Sequence, residues 1–362
     1  CYRPRHHDWI ESPSAEDLLA CYRFLVRGLA ALAEKWAVPL QEFVADYTGG
    51  TKTMSVALGL ATIHMVGRYT YVGGTERTKE GLGVVVDGKE KMIYQANPWE
   101  ELAVTARQRA SLLFSRARYE AAAEEFEGVA GRVSPGERAV YEGLAALAHG
   151  YAEWDRFTHQ KAQGLLWKSL GALEPFAFGS EKSAWSDLVA RVRRHVEFLR
   201  ALEGPDGGRR RVADLIANAQ RRGDIEARYD DAVARLYSAL EMAARHRLLC
   251  AHQIRTSRTA PEQIPESLRQ EYSCRYMTNE GILKLPQYAA FRLLAALKDD
   301  LGERFHLNTE EIEKLLGTRN ASILAHGDQP VGESLYRQFR ALVLRIAAIE
   351  ESDLPTFPML PC

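Results

Sequence analysis

Little in this sequence points to a metal, a disulfide framework or a membrane. Its five cysteines (Cys1, Cys21, Cys250, Cys274, Cys362) are scattered along 362 residues, odd in number and without C-x-x-C spacing. That pattern offers neither a zinc site nor a set of structural disulfides, so a reducing cytoplasm is the expected compartment. His6-His7, His246, His252 and His306 fall into no H-x-x-x-H or H-E-x-x-H pattern, so hydrolytic zinc chemistry has no ligand set. No apolar run approaches the roughly eighteen residues of a membrane span, and no signal peptide is visible. A formal net charge of -1 excludes bulk electrostatics as a means of holding nucleic acid, which would need a local patch. Also missing are a G-x-G-x-x-G turn with a downstream acid, a Walker loop and a G-x-S-x-G elbow.

What is present is a balanced chain of 40.6 kDa with 46% apolar and 26% charged residues, enough for two or three globular domains. Its sharpest local feature is Asp46-Tyr47-Thr48-Gly49-Gly50-Thr51-Lys52. An apolar set at Leu40 to Val44 predicts a strand before this turn, Thr53 to Gly67 a helix after it, and Arg68 to Val72 a second strand, together a βαβ unit. Paired glycines let a ligand approach the backbone, the first N–H groups of the helix point outward, and Lys52 adds a positive charge. The same residues also suit a plain tight turn with an exposed lysine. Read as a site, the turn calls for an anionic, nucleotide-like ligand.

Upstream, Ser14 with Glu16-Asp17 predicts the cap and acidic first turn of a helix to about Trp36, with Leu18, Tyr22, Leu25 and Leu29 at helical spacing. Too few residues precede the glycine turn for the strands that open a nucleotide-binding sheet, and the chain starts on Cys1, so missing upstream sequence is expected. Downstream, Val84 to Val86, the Asp87-Gly88 turn and Lys91 to Tyr94 predict an antiparallel hairpin. Strand signals then nearly vanish, which places a boundary near Pro98. From Glu101 to about Arg222 the pattern is helical, with amphipathic segments at Ala110 to Val129 and Glu137 to Trp154. Tyr119 to Phe126 is faintly tetratricopeptide-like, but a plain helical linker is the favoured reading, with Trp154, Trp167 and Trp185 in its core.

Near the C-terminus, Arg319-Asn320 and His326 lie between an acidic helix start at Thr309-Glu310-Glu311 and an amphipathic helix from about Glu333 to Glu350. On a continuous helix Arg319 and His326 would share one face two turns apart, about 10 Å. A cation and an imidazole facing one groove suit phosphodiester cleavage in RNA without a metal, because the 2′-hydroxyl is itself the nucleophile. An Arg and a His at this spacing also occur in ordinary helices, and the spacing alone leaves both readings open.

Taken together and in this order, the two ends of the chain resemble the CARF-HEPN effector ribonucleases of type III CRISPR systems. The resemblance is carried by Asp46 to Ser55, by Tyr71-Val72-Gly73-Gly74 with Glu76-Arg77, by Asn97-Pro98-Trp99, and by Arg319-Asn320 with Ala325-His326-Gly327. Ala234 to Glu241 looks like an early helix of the HEPN bundle, whose polar residues support the catalytic pair. The resemblance implies an α/β plus all-α fold: a partial Rossmann-like CARF sensor over 1–98 lacking its N-terminal part, a helical linker domain over 99–224, and a helical HEPN ribonuclease domain over 225–362. It implies that cyclic oligoadenylate binds at Thr48, Gly49, Gly50, Thr51 and Lys52 across a homodimer and allosterically switches on cleavage of single-stranded RNA in antiviral defence. Arg319 and His326 would be the catalytic pair, Asn320 would orient the site, and the products would carry a 2′,3′-cyclic phosphate and a 5′-hydroxyl. No metal and no cofactor beyond the activator is implied. Two other activities fit the same residues: a sensor or scaffold that does not cut RNA, and a ring nuclease that degrades the cyclic oligoadenylate with Lys52 at the phosphate.

Overall fold

Caps and turns divide the chain into its elements, and the computed structural model describes them at residues 6–12, 14–63, 65–66, 68–74, 76, 85–96, 99–131, 133, 135–177, 184–204, 207–320 and 330–361. The fold is mostly helical with one small three-stranded sheet, the α/β plus all-α class that the sequence predicts. The chain divides into two compact units, one of residues 1–111 and 122–145 and the other of residues 112–121 and 146–361.

The first unit begins with helix α1 (Leu18–Trp36), capped by Asp17, whose carboxylate accepts the Ala20 N–H. Ser14 is not the cap. Its hydroxyl accepts the N–H groups of Glu16 and Asp17 in a turn just ahead of the helix, as serine does when it competes with the helix for local donors. Strand β1 is Val44–Asp46, shifted from the expected Leu40 to Val44, because Pro39 leads Leu40–Glu42 into a 3₁₀ turn. Helix α2 (Lys52–Thr62) packs on α1. Strand β2 (Arg68–Gly74) runs parallel to β1, with Val44, Ala45 and Asp46 opposite Arg68, Tyr69 and Thr70. The βαβ unit is therefore present.

Strand β3 (Glu90–Ala96) corrects the expected hairpin. Its antiparallel partner is β2 over seven residue pairs, from Arg68 opposite Ala96 to Gly74 opposite Glu90; of the expected partner strand, Val84 lies outside the described residues and the Val86 N–H bonds the Glu76 carbonyl. The Asp87-Gly88 turn does form, closed by the Lys89 N–H on the Val86 carbonyl. The longer β2 offers more ladder hydrogen bonds than a three-residue stretch can.

Helices α3 (Trp99–Ser115), α4 (Tyr119–Ala130) and α5 (Pro135–Asp155) follow. The expected segment Ala110 to Val129 is thus two helices. Ala117 adopts a left-handed φ of 58° and the Arg118 N–H bonds the Leu113 carbonyl, closing α3 with a Schellman-type turn. Of the three tryptophans assigned to the core, Trp154 is fully buried, Trp185 is half-buried, and Trp167 is 63% exposed on α6 (His159–Ala177), whose buried face is carried by Ala162, Leu166 and Leu170 instead.

In the second unit α7 (Ala184–Ala201) pairs with α6, and α8 (Gly207–Gln220) leads through a π-helical turn at Arg221–Ile225 into the long α9 (Tyr229–His252). Around α9 stand α10 (Glu266–Tyr276), α11 (Gln287–Ala296), α12 (Asp300–Leu307), α13 (Thr309–Asn320) and α14 (Glu333–Ala347). Leu236, Leu240, Phe291, Leu294, Phe339 and Leu342 are buried together, and Phe291 stacks on Phe305 at 3.9 Å. Each large side chain buried in this way contributes about 1.5–3 kcal/mol.

Candidate functional site

At the glycine turn the threonines and Asp46 hold the backbone in place. The Asp46 carboxylate accepts the Thr48 N–H at 2.9 Å and the Thr70 hydroxyl at 2.7 Å. Hydrogen bonds from Thr48, and after them from Thr70, hold this carboxyl below its ordinary range. Thr48 in turn accepts the Val72 N–H at 2.8 Å, tying the turn to β2. Gly50 takes a φ of 91°, which a side chain would strain. Thr51 is the cap of α2: its hydroxyl accepts the Met54 N–H at 3.2 Å and donates to the Ala15 carbonyl at 2.7 Å.

Lys52 is the first residue of α2 and is exposed, as are Thr48, Gly49 and Gly50. The arrangement leaves two threonine side chains and the Met54 N–H committed to the scaffold, while Gly49, Gly50 and Lys52 are exposed at the opening of α2. Tyr47 stacks on Tyr71 at 5.5 Å and donates from its hydroxyl to Gln95, which stiffens the strand end that carries the turn.

At the other candidate site, Arg319 and Asn320 are the last two residues of α13. His326 lies outside the described residues, and with it the expected shared helix face. The chain re-enters at Pro330, and the N–H of Val331 is held by both oxygens of Asp230 at 3.3 Å, in the first turn of α9. Asp230 therefore fixes the backbone at Val331 ahead of α14, a role that sequence reading missed. Its signal was an Asp-Asp pair opening a helix, which alone reads as dipole complement.

Around that anchor the Tyr229 and Tyr336 rings meet at 5.8 Å, tilted by 32°, and the π-helical Gly223 lies so close to the Tyr336 ring that an added Cβ would come within 2.3 Å of it. Burial, then the Asp224 carboxylate, pushes the Tyr336 hydroxyl above its usual range and keeps it neutral. On α9, Arg235 pairs with Asp231 one turn away at 2.9 Å, and Ser238 bonds the Ala234 carbonyl. Within the expected Ala234 to Glu241 helix, Arg235 and Ser238 thus bond along their own helix, and the Arg235 guanidinium also lies 5.9 Å over the Phe157 ring.

Beneath the π-helical turn, Asp155 at the end of α5 accepts Arg221 Nε at 2.9 Å, pairs with Arg222, and takes the amide of Asn218 at 3.0 Å. Arg222 also pairs with Glu226, and the Arg221 guanidinium lies 3.9 Å over the Phe357 ring. Both arginines are buried. Sequence reading used Arg222 only as the end of a helical stretch. The adjacent Arg pair was the available signal for a buried ionic junction.

Among the described residues no group of three or more His, Cys, Asp or Glu converges as a metal site, and no helix is long and apolar enough to cross a membrane.

Two family models match this chain, the Csm6 6H domain over residues 102–199 and the Csm6 HEPN domain over residues 204–350. The first covers most of α3 through α7, the second α8 through α14. A search of the curated proteins returned no match. With α13 and its Arg319-Asn320 end inside the HEPN match and the helical middle inside the 6H match, the chain belongs to the Csm6 family of type III CRISPR effectors.

Proposed function

We propose that this Csm6 chain is a cyclic-oligoadenylate-activated, metal-independent endoribonuclease that cuts single-stranded RNA in antiviral defence in the cytoplasm. The observation that carries the reading is the HEPN match enclosing both Arg319-Asn320 and His326. In this mechanism the 2′-oxygen of the RNA attacks the adjacent phosphorus and the bond to the 5′-oxygen breaks. His326 moves a proton at one of these oxygens, and the Arg319 guanidinium stabilises the charge that grows on the phosphate. Asn320 orients the pair. The products are a 2′,3′-cyclic phosphate and a 5′-hydroxyl, and a second protomer supplies the other half of the site, as suits a two-fold ligand.

The activator binds in the CARF-like sensor at Thr48, Gly49, Gly50, Thr51 and Lys52. The exposed Gly49-Gly50 backbone at a helix N-terminus and the exposed Lys52 support this, since they complement phosphodiesters. Activation requires that the ligand favour one arrangement of the dimer by differential contacts.

A ribonuclease assay with cyclic tetra-adenylate and cyclic hexa-adenylate added separately tests the proposal. One of them should switch on cleavage, and His326→Ala should lower the activated rate by about 10²–10⁴-fold while activator binding is retained. Wild-type protein inert toward RNA at saturating activator would overturn the reading in favour of a sensor or scaffold. Shortening of the ring on chromatography without RNA cleavage, abolished by Lys52→Ala, would instead assign a ring nuclease.

A further inference from the structure

A second feature of the bundle lies away from the Arg319-Asn320 end. Between the start of α8, the last turns of α9, the start of α12 and the end of α14 is a cleft of about 460 Å³. Its polar lining is cationic: Arg209, His246, Arg247 and Arg304 converge on it, with Asp300 the carboxylate in the lining. The walls between are small and apolar, among them Val212, Ala243 and Leu301. Cys250 lies at the same cleft, exposed, with its sulfur 3.4 Å from His246 Nε2.

These arginines have structural partners, and the partners leave donors over. Arg304 Nε donates to the Ile346 carbonyl at 2.9 Å, and Arg209 donates to the Ala348 carbonyl at 2.7 Å, so both satisfy the end of α14. Arg209 also reaches Asp353 at 3.3 Å, in a pair about half exposed on both sides, which contributes at most about 1 kcal/mol. Arg247 Nε donates at 2.7 Å to Asp299, a buried carboxylate shared with His252. A guanidinium carries five N–H donors in a planar fork, and these contacts occupy one or two on each. Arg209 also has a place in the charge pattern of its own helix. It stands with Arg210 and Arg211 at the start of α8, whose first turn has no acidic residue, where the helix dipole already presents positive charge.

From this convergence we infer that the cleft is a binding site for the phosphate group of a small molecule of nucleotide size, held by Arg209, Arg247 and Arg304. The volume falls in the range of small-molecule pockets, and planar forks from three elements match the tetrahedral oxygens of a phosphate. The inference does not rest on the ribonuclease reading.

The test uses the full chain. Pyrophosphate, AMP and a short single-stranded RNA are each added while alkylation of Cys250 by N-ethylmaleimide is followed by peptide mass spectrometry, with Cys274 on α10 as the internal control. Pyrophosphate or AMP should slow labelling of Cys250 and leave Cys274 unchanged. Arg209→Gln and Arg247→Gln should each weaken that protection about tenfold or more, the loss of one charge-assisted bond, with the circular dichroism spectrum unaltered. His326→Ala should leave it intact, which separates failure here from failure of the ribonuclease proposal. No protection by millimolar pyrophosphate or AMP, protection indifferent to Arg209→Gln, or protection by the RNA alone would each overturn the inference.

Discussion

Around the β1–β2 pair a buried apolar cluster of Ala45, Val66 and Tyr69 suffices, while Val44, Val56, Leu60, Met92 and Tyr94 in the same unit are exposed. In the bundle built on α9, the buried set runs from Val212 to Leu354 and includes whole faces of α9, α11 and α14. The two regions hold their functional residues by different means. The glycine turn is positioned by hydrogen bonds among Asp46, Thr48, Thr51 and Thr70 on a thin core. The HEPN helices are positioned by dense packing, in which each element is fixed by several others.

The largest test of that contrast is in the bundle. Phe291→Ala, which removes a ring stacked on Phe305, should destabilise by about 3–5 kcal/mol in chemical denaturation. A much smaller loss would mean that the bundle packs as loosely as the sheet. Asp155→Ala should cost a similar or slightly smaller amount, roughly 3–5 kcal/mol, because it strands two buried guanidinium groups. Replacing Asp155, Arg221 and Arg222 together by apolar residues should recover much of that loss. If it does not, the junction is a net source of stability and not only a constraint on geometry.

A pH titration gives an intermediate effect. Burial, with the nearby Arg191, Arg194 and Arg221 charges adding to it, pushes the His195 imidazole down to about 3, and its Nδ1 bonds the Tyr151 hydroxyl at 2.8 Å. The folded state then lacks a proton that the unfolded chain binds below its ordinary value of about 6.5. The contribution of His195 is full above that pH and is lost as pH falls toward 3, at up to about 1.4 kcal/mol per pH unit. Urea melts at pH 7, 6 and 5 should show this slope in the wild type and a flatter one in His195→Gln.

In the sheet unit the effects should be smaller. Thr51→Ala removes the cap of α2 and should cost about 1 kcal/mol, read as faster amide exchange at Met54 and Ser55. Val56→Ala, on the exposed face of α2, should stay within about 0.5 kcal/mol of wild type. A loss of several kcal/mol there would show that this face is covered in solution.

How much was legible follows from where the information lies. The Gly49-Gly50 turn and the helix that follows it are local, so residue type reads them, although the strand before the turn is shifted to Val44–Asp46 by the Pro39 turn and the helix ends at Thr62, short of the expected Gly67. The same holds for α13 opening at Thr309 and α14 at Glu333. Pairing was not legible in the same way. Lys91 to Tyr94 alternates as a strand whichever partner it has, and the choice of β2 depends on a ladder of seven pairs that no short window contains. Trp167 was assigned to a core by residue type, yet it lies on the outer face of α6, because Ala162, Leu166 and Leu170 already fill the inner one. At the candidate ribonuclease site the motif residues were readable, but Asp230, 101 positions before the Val331 N–H that it holds, was not.

The sequence by itself determined the helical character, the glycine turn between strand and helix, and the Arg-Asn…His motif, because periodicity, caps and glycine placement act over a few residues. Only the tertiary structure decided that Arg221 and Arg222 meet Asp155, that Gly223 admits the Tyr336 ring, and that Arg209, Arg247 and Arg304 share one cleft. Those meetings join residues far apart in the chain, and they are set by how buried helices pack, which no local pattern encodes.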